Sequence, residues 1–225
     1  MINQNQKKNL PFDEHIYQII EYDDYFYNGR NKKVKVKDLG KKFASINSFF
    51  FDYLKEFNIP CAYIKKTGNK SLLFIKYSPL SFTVKILNSA DKRISKIFSV
   101  KQGENLALPV MEYHFGNIKD SIISESHLIS FNICTYDDLK FINRLCSKIN
   151  AVVKSFFERR EESVAEFSCN FGKYEGKIYL TNDFGPTGLK IYKLNEDGKL
   201  PDPYKIETAA QMNKYTDHLY NFTNG

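Results

Sequence analysis

The loop at residues 182–188 contains side chains that could do chemistry. It reads Asn182-Asp183-Phe184-Gly185-Pro186-Thr187-Gly188 and directly follows the β-rich run 178–180. Polar loops held by a rigid hairpin are common places for a bound phosphate, metal or substrate. Ordinary hairpin ends have the same small, turn-forming residues, so the pattern allows a site without requiring one.

A second polar group consists of Asp120, Glu125, Ser126 and His127. Carboxylates, a hydroxyl and an imidazole in one short segment could bind a polar ligand. A capped turn that leads into the next segment explains the same residues equally well. The chain has no G-x-S-x-G elbow, Walker loop or H-E-x-x-H motif that would indicate another chemistry.

Composition narrows the class of protein. The 225 residues suffice for one large domain or two small lobes with a common core, and the net charge of +7 is spread along the chain. That charge suits phosphorylated small molecules, whereas the basic pairs lack the interleaved aromatic residues typical of nucleic-acid binding. No apolar run is long enough to span a membrane, and the polar start lacks a secretory signal.

The cysteines indicate the compartment. Cys61, Cys134, Cys146 and Cys169 lie far apart without a C-x-x-C pair. This spacing does not favour a zinc site or a disulfide framework, so we expect buried, reduced thiols in a cytoplasmic protein. The oligomeric state stays open, a homo-oligomer included.

The elements that must position these residues are helices and strands in mixed order. Apolar periodicity predicts strands at 15–22, 71–77 and 165–171, the second interrupted at Ser78-Pro79 and continued over 80–87. It predicts helices at 43–57, 208–221 and after Thr135, which is a credible N-cap with Asp138 at N3. We therefore expect an α+β fold: a disordered tail at 1–13, an N-terminal lobe at 14–78 and a C-terminal lobe at 79–225.

The hairpin also resembles a known family. SAICAR synthetases, ligases of purine synthesis, contain L-[IV]-D-F-K-[IL]-E-F-G, a turn, and D-E-[FI]-[ST]-P-D. The corresponding residues here are 164–172, VAEFSCNFG, and 182–187, NDFGPT. The likeness extends from Tyr22 onward, and 119–127 resembles the family's H-D-P-M-[IV]-N-E-[SD]-H. The apolar positions match those of the family motifs, whereas most of the charged positions differ.

The resemblance implies a fold and a reaction. The fold is two α+β lobes with ATP between them, where a hinge at Tyr77, Ser78 and Leu80 would face the adenine. The reaction couples aspartate to a carboxylated aminoimidazole ribotide, with ATP and magnesium activating the carboxylate. The family's metal-facing carboxylates correspond here to Asn170 and Asn182.

Several implied parts are altered. The family's N-terminal Y-x-G-K-[AT]-K phosphate loop corresponds at best to residues 7–11, KKNLP, which contain no glycine but could supply charge through Lys7 or Lys8. The family's D-F-K lysine is Ser168, and its substrate arginine is Lys85. Asp91 stands where the family presents a small residue to an anionic substrate. The loss of charge predicts weak magnesium binding.

Two hypotheses follow. The first is a degenerate or repurposed SAICAR-synthetase-like protein that binds a nucleotide-like or anionic small molecule, or a protein partner. The alternative is a working, divergent synthetase in which Glu166 and Asp183 hold magnesium and Lys85 serves the substrate. The two differ in whether two carboxylates converge on one point of the cleft.

Overall fold

A computed structural model describes residues 13, 15–116, 121–193 and 200–223 of the chain. Two antiparallel sheets dominate. The smaller has the order β1-β5-β4, and its strands are Tyr17–Glu21 (β1), Ser71–Ile75 (β5) and Tyr63–Lys66 (β4). A separate hairpin pairs β2 (Tyr25–Tyr27) with β3 (Lys33–Lys35) around the turn that Asn28-Gly29 predicts.

The larger sheet contains six strands in the order β10-β9-β6-β7-β8, with β11 also paired to β9. Its central strands are long: Ser78–Ser89 (β6), Asn105–Phe115 (β7) and Glu162–Tyr174 (β9). The shorter strands are Ile122–Ile123 (β8), Lys177–Leu180 (β10) and Leu189–Lys193 (β11). The first half of β9 pairs with β11 and its second half with β10, so both short strands lie along the edge of β9 that is opposite β6.

Five helices complete the described part of the chain: Leu39–Glu56 (α1), Lys92–Phe98 (α2), Glu125–Ser130 (α3), Tyr136–Glu158 (α4) and Ala209–Asn221 (α5). The predicted N-cap is confirmed, since the Thr135 side chain accepts from the Asp138 amide. Thr208 caps α5 in the same way, through the Gln211 amide. None of the described helices is long and apolar enough to cross a lipid bilayer.

The helices bury one aromatic core between the sheets. Helix α1 covers the small sheet and α4 packs on β9 and β6. The rings of Phe50 and Phe156 meet edge to face at 5.3 Å, and Phe50 stacks on Phe184 at 5.2 Å. Such pairs add about 0.5–1.5 kcal/mol each beyond their burial. Helix α5 also packs against α1 through Met212.

The α+β fold with two layers of sheet agrees with the sequence expectation, but one boundary differs. Residues 71–77 and 80–87 are not one interrupted strand: β5 ends at Ile75 in the small sheet and β6 starts at Ser78 in the large one. Apolar alternation is the same on both sides of this crossing, so it could not reveal the change of sheet. Helix α1 also starts four residues earlier than predicted, at Leu39 instead of residue 43.

Candidate functional site

One face of the large sheet is polar, and strand register shows which residues share it. Thr83 lies opposite Asn170 on β9, and Lys85 lies opposite Ser168 on β9 and Glu112 on β7. Neighbouring residues on a strand point to opposite faces. The intervening Val84 is fully buried in the core, so these polar side chains point to the other face. Two clusters of side chains occupy that face.

The first, the amide cluster, consists of Thr83, Asn170 and Asn182. The Thr83 hydroxyl donates to Asn170 Oδ1 at 2.6 Å, and Asn182 Oδ1 accepts from the backbone N–H of Asn170 at 3.1 Å. Asn182 is 2 % exposed. Asn170 and Asn182, where the resemblance implies metal ligands, therefore lie side by side, and each side-chain carbonyl oxygen already accepts a hydrogen bond.

Asp183 links the neighbouring loop, residues 182–187, to helix α1. Its Oδ1 accepts from Asn47 Nδ2 at 3.0 Å and from the Gly185 amide at 2.9 Å, and its Oδ2 accepts from the Thr187 hydroxyl at 3.1 Å. Asn47 lies on α1, and its Oδ1 accepts from the Phe184 amide at 2.8 Å. These bonds hold the loop 182–187 against α1 and satisfy both Asp183 oxygens.

The second, the charged cluster, consists of Lys85, Asp91, Glu166, Lys190 and Tyr204. Glu166, 4 % exposed, accepts from Lys190 Nζ at 2.7 Å and lies 3.0 Å from Lys85 Nζ. Lys85 Nζ is also 3.6 Å from Asp91. Two lysines and two carboxylates sum to zero charge, so the cluster neutralises itself.

Tyr204 closes the charged cluster. Its phenol is hydrogen-bonded to Glu166, and burial, followed by the Glu166 charge, raises its pKa well above the usual value. The phenol therefore stays protonated and donates to the carboxylate. The ammonium of Lys190 lies 4.5 Å from the centre of the Tyr204 ring, a cation–π contact.

The predicted hinge lies where the chain passes from the small sheet to the large one. Ser78 pairs with Lys173 on β9. The Tyr77 ring packs against Gly172, where any added Cβ would collide with it. Burial raises the pKa of the Tyr77 phenol, which is hydrogen-bonded to Thr181. Leu80 lines a cavity of about 320 Å³ with Lys173.

Tyr22 lies near the crossing between the two sheets, and the sequence analysis did not identify it as a site residue. Burial raises the pKa of Tyr22, with further contributions from Asp183 and Tyr77. Three parts of the chain thus meet there: the end of β1, the crossing from β5 to β6, and the loop after β10. Tyr22 stands at the start of the resemblance, but nothing in its local pattern indicates a role.

The predicted substrate group is only partly placed, because Asp120 lies outside the described residues. Glu125 accepts from the Tyr113 hydroxyl at 2.6 Å and from Asn143 of α4 at 2.8 Å. Tyr113 lies opposite Val84, so Glu125 is on the α4 face of the sheet, away from both clusters. A role for Glu125 in substrate binding stays a prediction.

Ser126 and His127 contribute to the start of α3. Ser124 Oγ lies 2.7 Å from Ser126 Oγ and 2.8 Å from His127 Nδ1. The Ser124 amide also donates to His127 Nδ1 at 3.1 Å. These contacts are those of a capped turn, which was the other interpretation of this segment.

Magnesium, the metal that the resemblance implies, prefers charged oxygen ligands. At Asn170 and Asn182 the oxygens are neutral amides that already accept hydrogen bonds. Within the described ranges, no group of three or more His, Cys, Asp or Glu residues could hold a metal ion. The donors at these positions therefore do not fit a magnesium site.

Comparison with known proteins identifies the fold and its family. The family model described as SAICAR synthetase matches residues 12–219. The chain belongs to the SAICAR synthetase family. Phosphoribosylaminoimidazole-succinocarboxamide synthases of Caldanaerobacter subterraneus and Clostridium kluyveri are 27 % and 29 % identical, each over 95 % of this chain and 92 % of the relative. The resemblance seen in the sequence is confirmed, and the family acts as ATP-dependent ligases of purine biosynthesis.

Solved SAICAR synthetases have the same fold. The Ehrlichia chaffeensis enzyme superimposes with a TM-score of 0.82 at 24 % identity, over 92 % of this chain and 91 % of that one. A type-2 SAICAR synthetase in complex with ADP gives a TM-score of 0.76 at 24 % identity, over 82 % and 80 % of the two chains. The two-lobed α+β architecture of the family is therefore present here.

Some contributors to the site were not found from the sequence. Lys190 and Tyr204 complete the charged cluster, Thr83 completes the amide cluster, and Asn47 holds the loop. Lys190 could have been noticed from alternation in β11, since Leu189 and Ile191 on either side are buried. Tyr204 directly follows the segment Pro201-Asp202-Pro203, and its neighbours in the sequence show no apolar alternation that would indicate a role.

Proposed function

We propose that this chain is a SAICAR synthetase family member whose amide-ligase activity is impaired or lost and whose cleft binds a small molecule or a partner. The single observation that supports this most is the amide cluster. Phosphoryl transfer depends on positioned metal ions and charge, and the implied metal positions offer neutral oxygens that bond to their neighbours.

The charged cluster supports the same proposal. Lys85 stands at the family's substrate arginine, and it faces Glu166 and Asp91 at 3.0 Å and 3.6 Å. A lysine lacks the bidentate fork with which arginine binds carboxylate or phosphate. An anionic substrate would therefore meet a compensated ammonium beside a second carboxylate.

The alternative, a working divergent synthetase, requires Glu166 and Asp183 to share one magnesium ion. Glu166 is bonded to Lys190, and Asp183 is bonded to Asn47 and Thr187. A magnesium ion shared by both carboxylates would have to compete with these partners for the carboxylate charge. The first proposal requires no metal at Glu166 and Asp183.

The ligand that we propose for the cleft is nucleotide-like or anionic, lying near Tyr77, Ser78 and Leu80. A similar SAICAR synthetase is known in complex with ADP, which supports a nucleotide-like ligand. We further propose lobes at 14–78 and 79–225, a cytoplasmic location and weak or absent magnesium at Asn170 and Asn182. A partner that is a second copy of this chain is tested by measuring the oligomeric state.

A coupled assay with aspartate, the carboxylated imidazole ribotide, ATP and magnesium tests the proposal. Loss of one charge-stabilising group typically costs about 10²–10³ in rate, and several are altered here. We expect no product above the uncatalysed background, with the Caldanaerobacter subterraneus relative as a working control. Turnover within tenfold of the enzyme median of about 10 s⁻¹ would overturn the proposal.

A further inference from the structure

A separate pocket lies on the α4 face of the large sheet, away from the amide and charged clusters. Its volume is about 290 Å³, and it is formed where the start of α3 meets one side of α4. Its lining consists of Glu125, Tyr136, Leu139, Lys140, Asn143, Arg144 and Ser147. Pockets for drug-sized ligands measure about 300–1,000 Å³, so this one suits a ligand smaller than a nucleotide.

Glu125 is held in this pocket through one of its two carboxylate oxygens. Its Oε1 accepts from the Tyr113 hydroxyl at 2.6 Å and from Asn143 Nδ2 at 2.8 Å. Burial, followed by the hydrogen bond to Glu125, raises the pKa of the Tyr113 phenol, so the phenol keeps its proton and donates it. Among the described residues, Glu125 Oε2 has no hydrogen-bond partner, so it can accept from a bound ligand.

Two cations line the same pocket without an acidic partner. Lys140 and Arg144 are exposed and one turn apart on α4, and neither forms a salt bridge with a residue that the structure describes. The guanidinium of Arg144 lies 6.0 Å from the centre of the Phe141 ring, a contact that leaves its charge uncompensated. The pocket therefore contains both signs of charge, and the carboxylate and the cations do not neutralise one another.

The same lining also has an apolar part. Leu139 is buried, whereas the Tyr136 side chain is 69 % exposed, which is unusual for an aromatic residue in a helix. Residues three apart on a helix are neighbours, so these two side chains form one apolar surface beside the charges. An apolar group of a ligand would remove that surface from water, which favours binding.

We propose that this pocket binds a free α-amino acid with an apolar side chain. The ammonium of the ligand donates to Glu125 Oε2, its carboxylate accepts from Arg144 and Lys140, and its side chain covers Leu139 and Tyr136. Charge-assisted hydrogen bonds of both signs favour a zwitterion over a ligand with one charge. The site is separate from the inter-sheet cleft, so it does not depend on the proposed function.

Calorimetry on the unmodified protein tests the ligand class with leucine, phenylalanine, and the N-acetyl and amide derivatives of each. We expect leucine or phenylalanine to bind with a Kd of about 1 mM or below, and its two derivatives to bind about tenfold more weakly. Aspartate should also bind about tenfold more weakly, because its side-chain carboxylate would lie against the apolar surface. A derivative or aspartate that binds as tightly would overturn the inference, as would no binding of either apolar amino acid.

Glu125→Gln isolates the negative charge, because glutamine keeps an oxygen that can accept from Tyr113 and Asn143. We expect this variant to bind leucine about tenfold more weakly and N-acetyl-leucine, which has no ammonium, within about twofold of the unmodified protein. The matched control is Asp137→Asn, an exposed carboxylate at the start of α4 outside the pocket lining, which should change neither affinity. An equal loss for leucine and N-acetyl-leucine in Glu125→Gln would contradict the contact with the ammonium.

Arg144→Gln tests the opposite end of the ligand. We expect it to weaken leucine binding about tenfold and to leave leucine amide, which has no carboxylate, within about twofold. Lys148→Gln removes the next exposed cation on α4, which does not line the pocket, and should leave both affinities unchanged. A loss in Lys148→Gln as large as that in Arg144→Gln would show a general effect of helix charge and overturn the assigned site. If a variant melts earlier than the unmodified protein, the comparison of amino acids with their derivatives on the unmodified protein decides.

Discussion

The amide cluster and the charged cluster lie on the same face of β9, only four residues apart at Asn170 and Glu166. That spacing corresponds to about 13 Å along a strand. In the charged cluster, ionised groups remain and cancel one another. In the amide cluster, the positions that the family fills with carboxylates are neutral, and hydrogen bonds between neighbours satisfy them.

The difference shows two ways in which the polar groups on one face of a strand can be satisfied. Buried charges must keep their partners, so the charged cluster can change only as a unit. Neutral amides need hydrogen bonds but no counter-ion, so the amide cluster is satisfied by bonds between its own members. Removing a charge should therefore destabilise the charged cluster, whereas adding charge to the amide cluster should favour metal binding.

The largest effect is expected for Glu166→Gln, which keeps the shape of the side chain and removes its charge. Lys85 and Lys190 would then lose the carboxylate that they share. Removing one partner of a buried ion pair costs about 3–5 kcal/mol. Because both lysines are 18–20 % exposed, we expect the lower end of that range, about 3 kcal/mol, in urea denaturation.

The matched control for that variant is Glu158→Gln, which removes the partner of Lys154 on the exposed side of α4. Pairs of this kind contribute about 0.3–0.5 kcal/mol, so this variant should be nearly neutral. If Glu166→Gln were also within about 0.5 kcal/mol of the unmodified protein, the charged cluster would not be a coupled unit.

A smaller effect, in the opposite direction, is expected for Asn170→Glu combined with Asn182→Asp. The two carboxylates would restore the charged oxygens that magnesium prefers, at positions already side by side. We expect Mg-ATP affinity to rise at least tenfold, about 1.4 kcal/mol, by calorimetry. Without magnesium the like charges should lower the melting temperature.

Repeating the titration with EDTA supplies the control, since a gain that depends on metal must then disappear. Unchanged affinity in the double variant would show that other parts of the cleft are lost too. Tight Mg-ATP binding by the unmodified protein would contradict the interpretation of the amide cluster as a lost metal site.

Much of the fold could be predicted because it follows from local rules. Helix α4 begins at its Thr135 cap, and the turn at 174–177 separates β9 from β10 as expected. The four cysteines are free and buried, as predicted. The change of sheet between Ile75 and Ser78 was not predictable, because it depends on which strand each segment pairs with.

The candidate site was predictable only at positions that correspond to the motifs of the family. Asn170, Asn182, Lys85 and Glu166 were named from motif positions, and the structure places them in two adjacent clusters. Partners from distant segments were missed, such as Tyr204 on the charged cluster and Asn47 on Asp183. Their contacts arise from tertiary packing, which periodicity and spacing do not encode.

The smallest effect should come from Thr83→Ala, which removes the hydroxyl that donates to Asn170 Oδ1 at 2.6 Å. A hydrogen bond of this kind contributes about 0.5–1.5 kcal/mol, so we expect a loss of about 1 kcal/mol in urea denaturation. Thr83→Ser keeps the hydroxyl and should cost less. If the two variants were equally destabilised, the lost methyl group and not the hydrogen bond would explain the change.

In the Asn170→Glu, Asn182→Asp background, the same Thr83→Ala change should cost a different amount of stability, because the effects of substitutions within one hydrogen-bond network are not additive. An identical cost in both backgrounds would show that Thr83 does not belong to the amide cluster energetically.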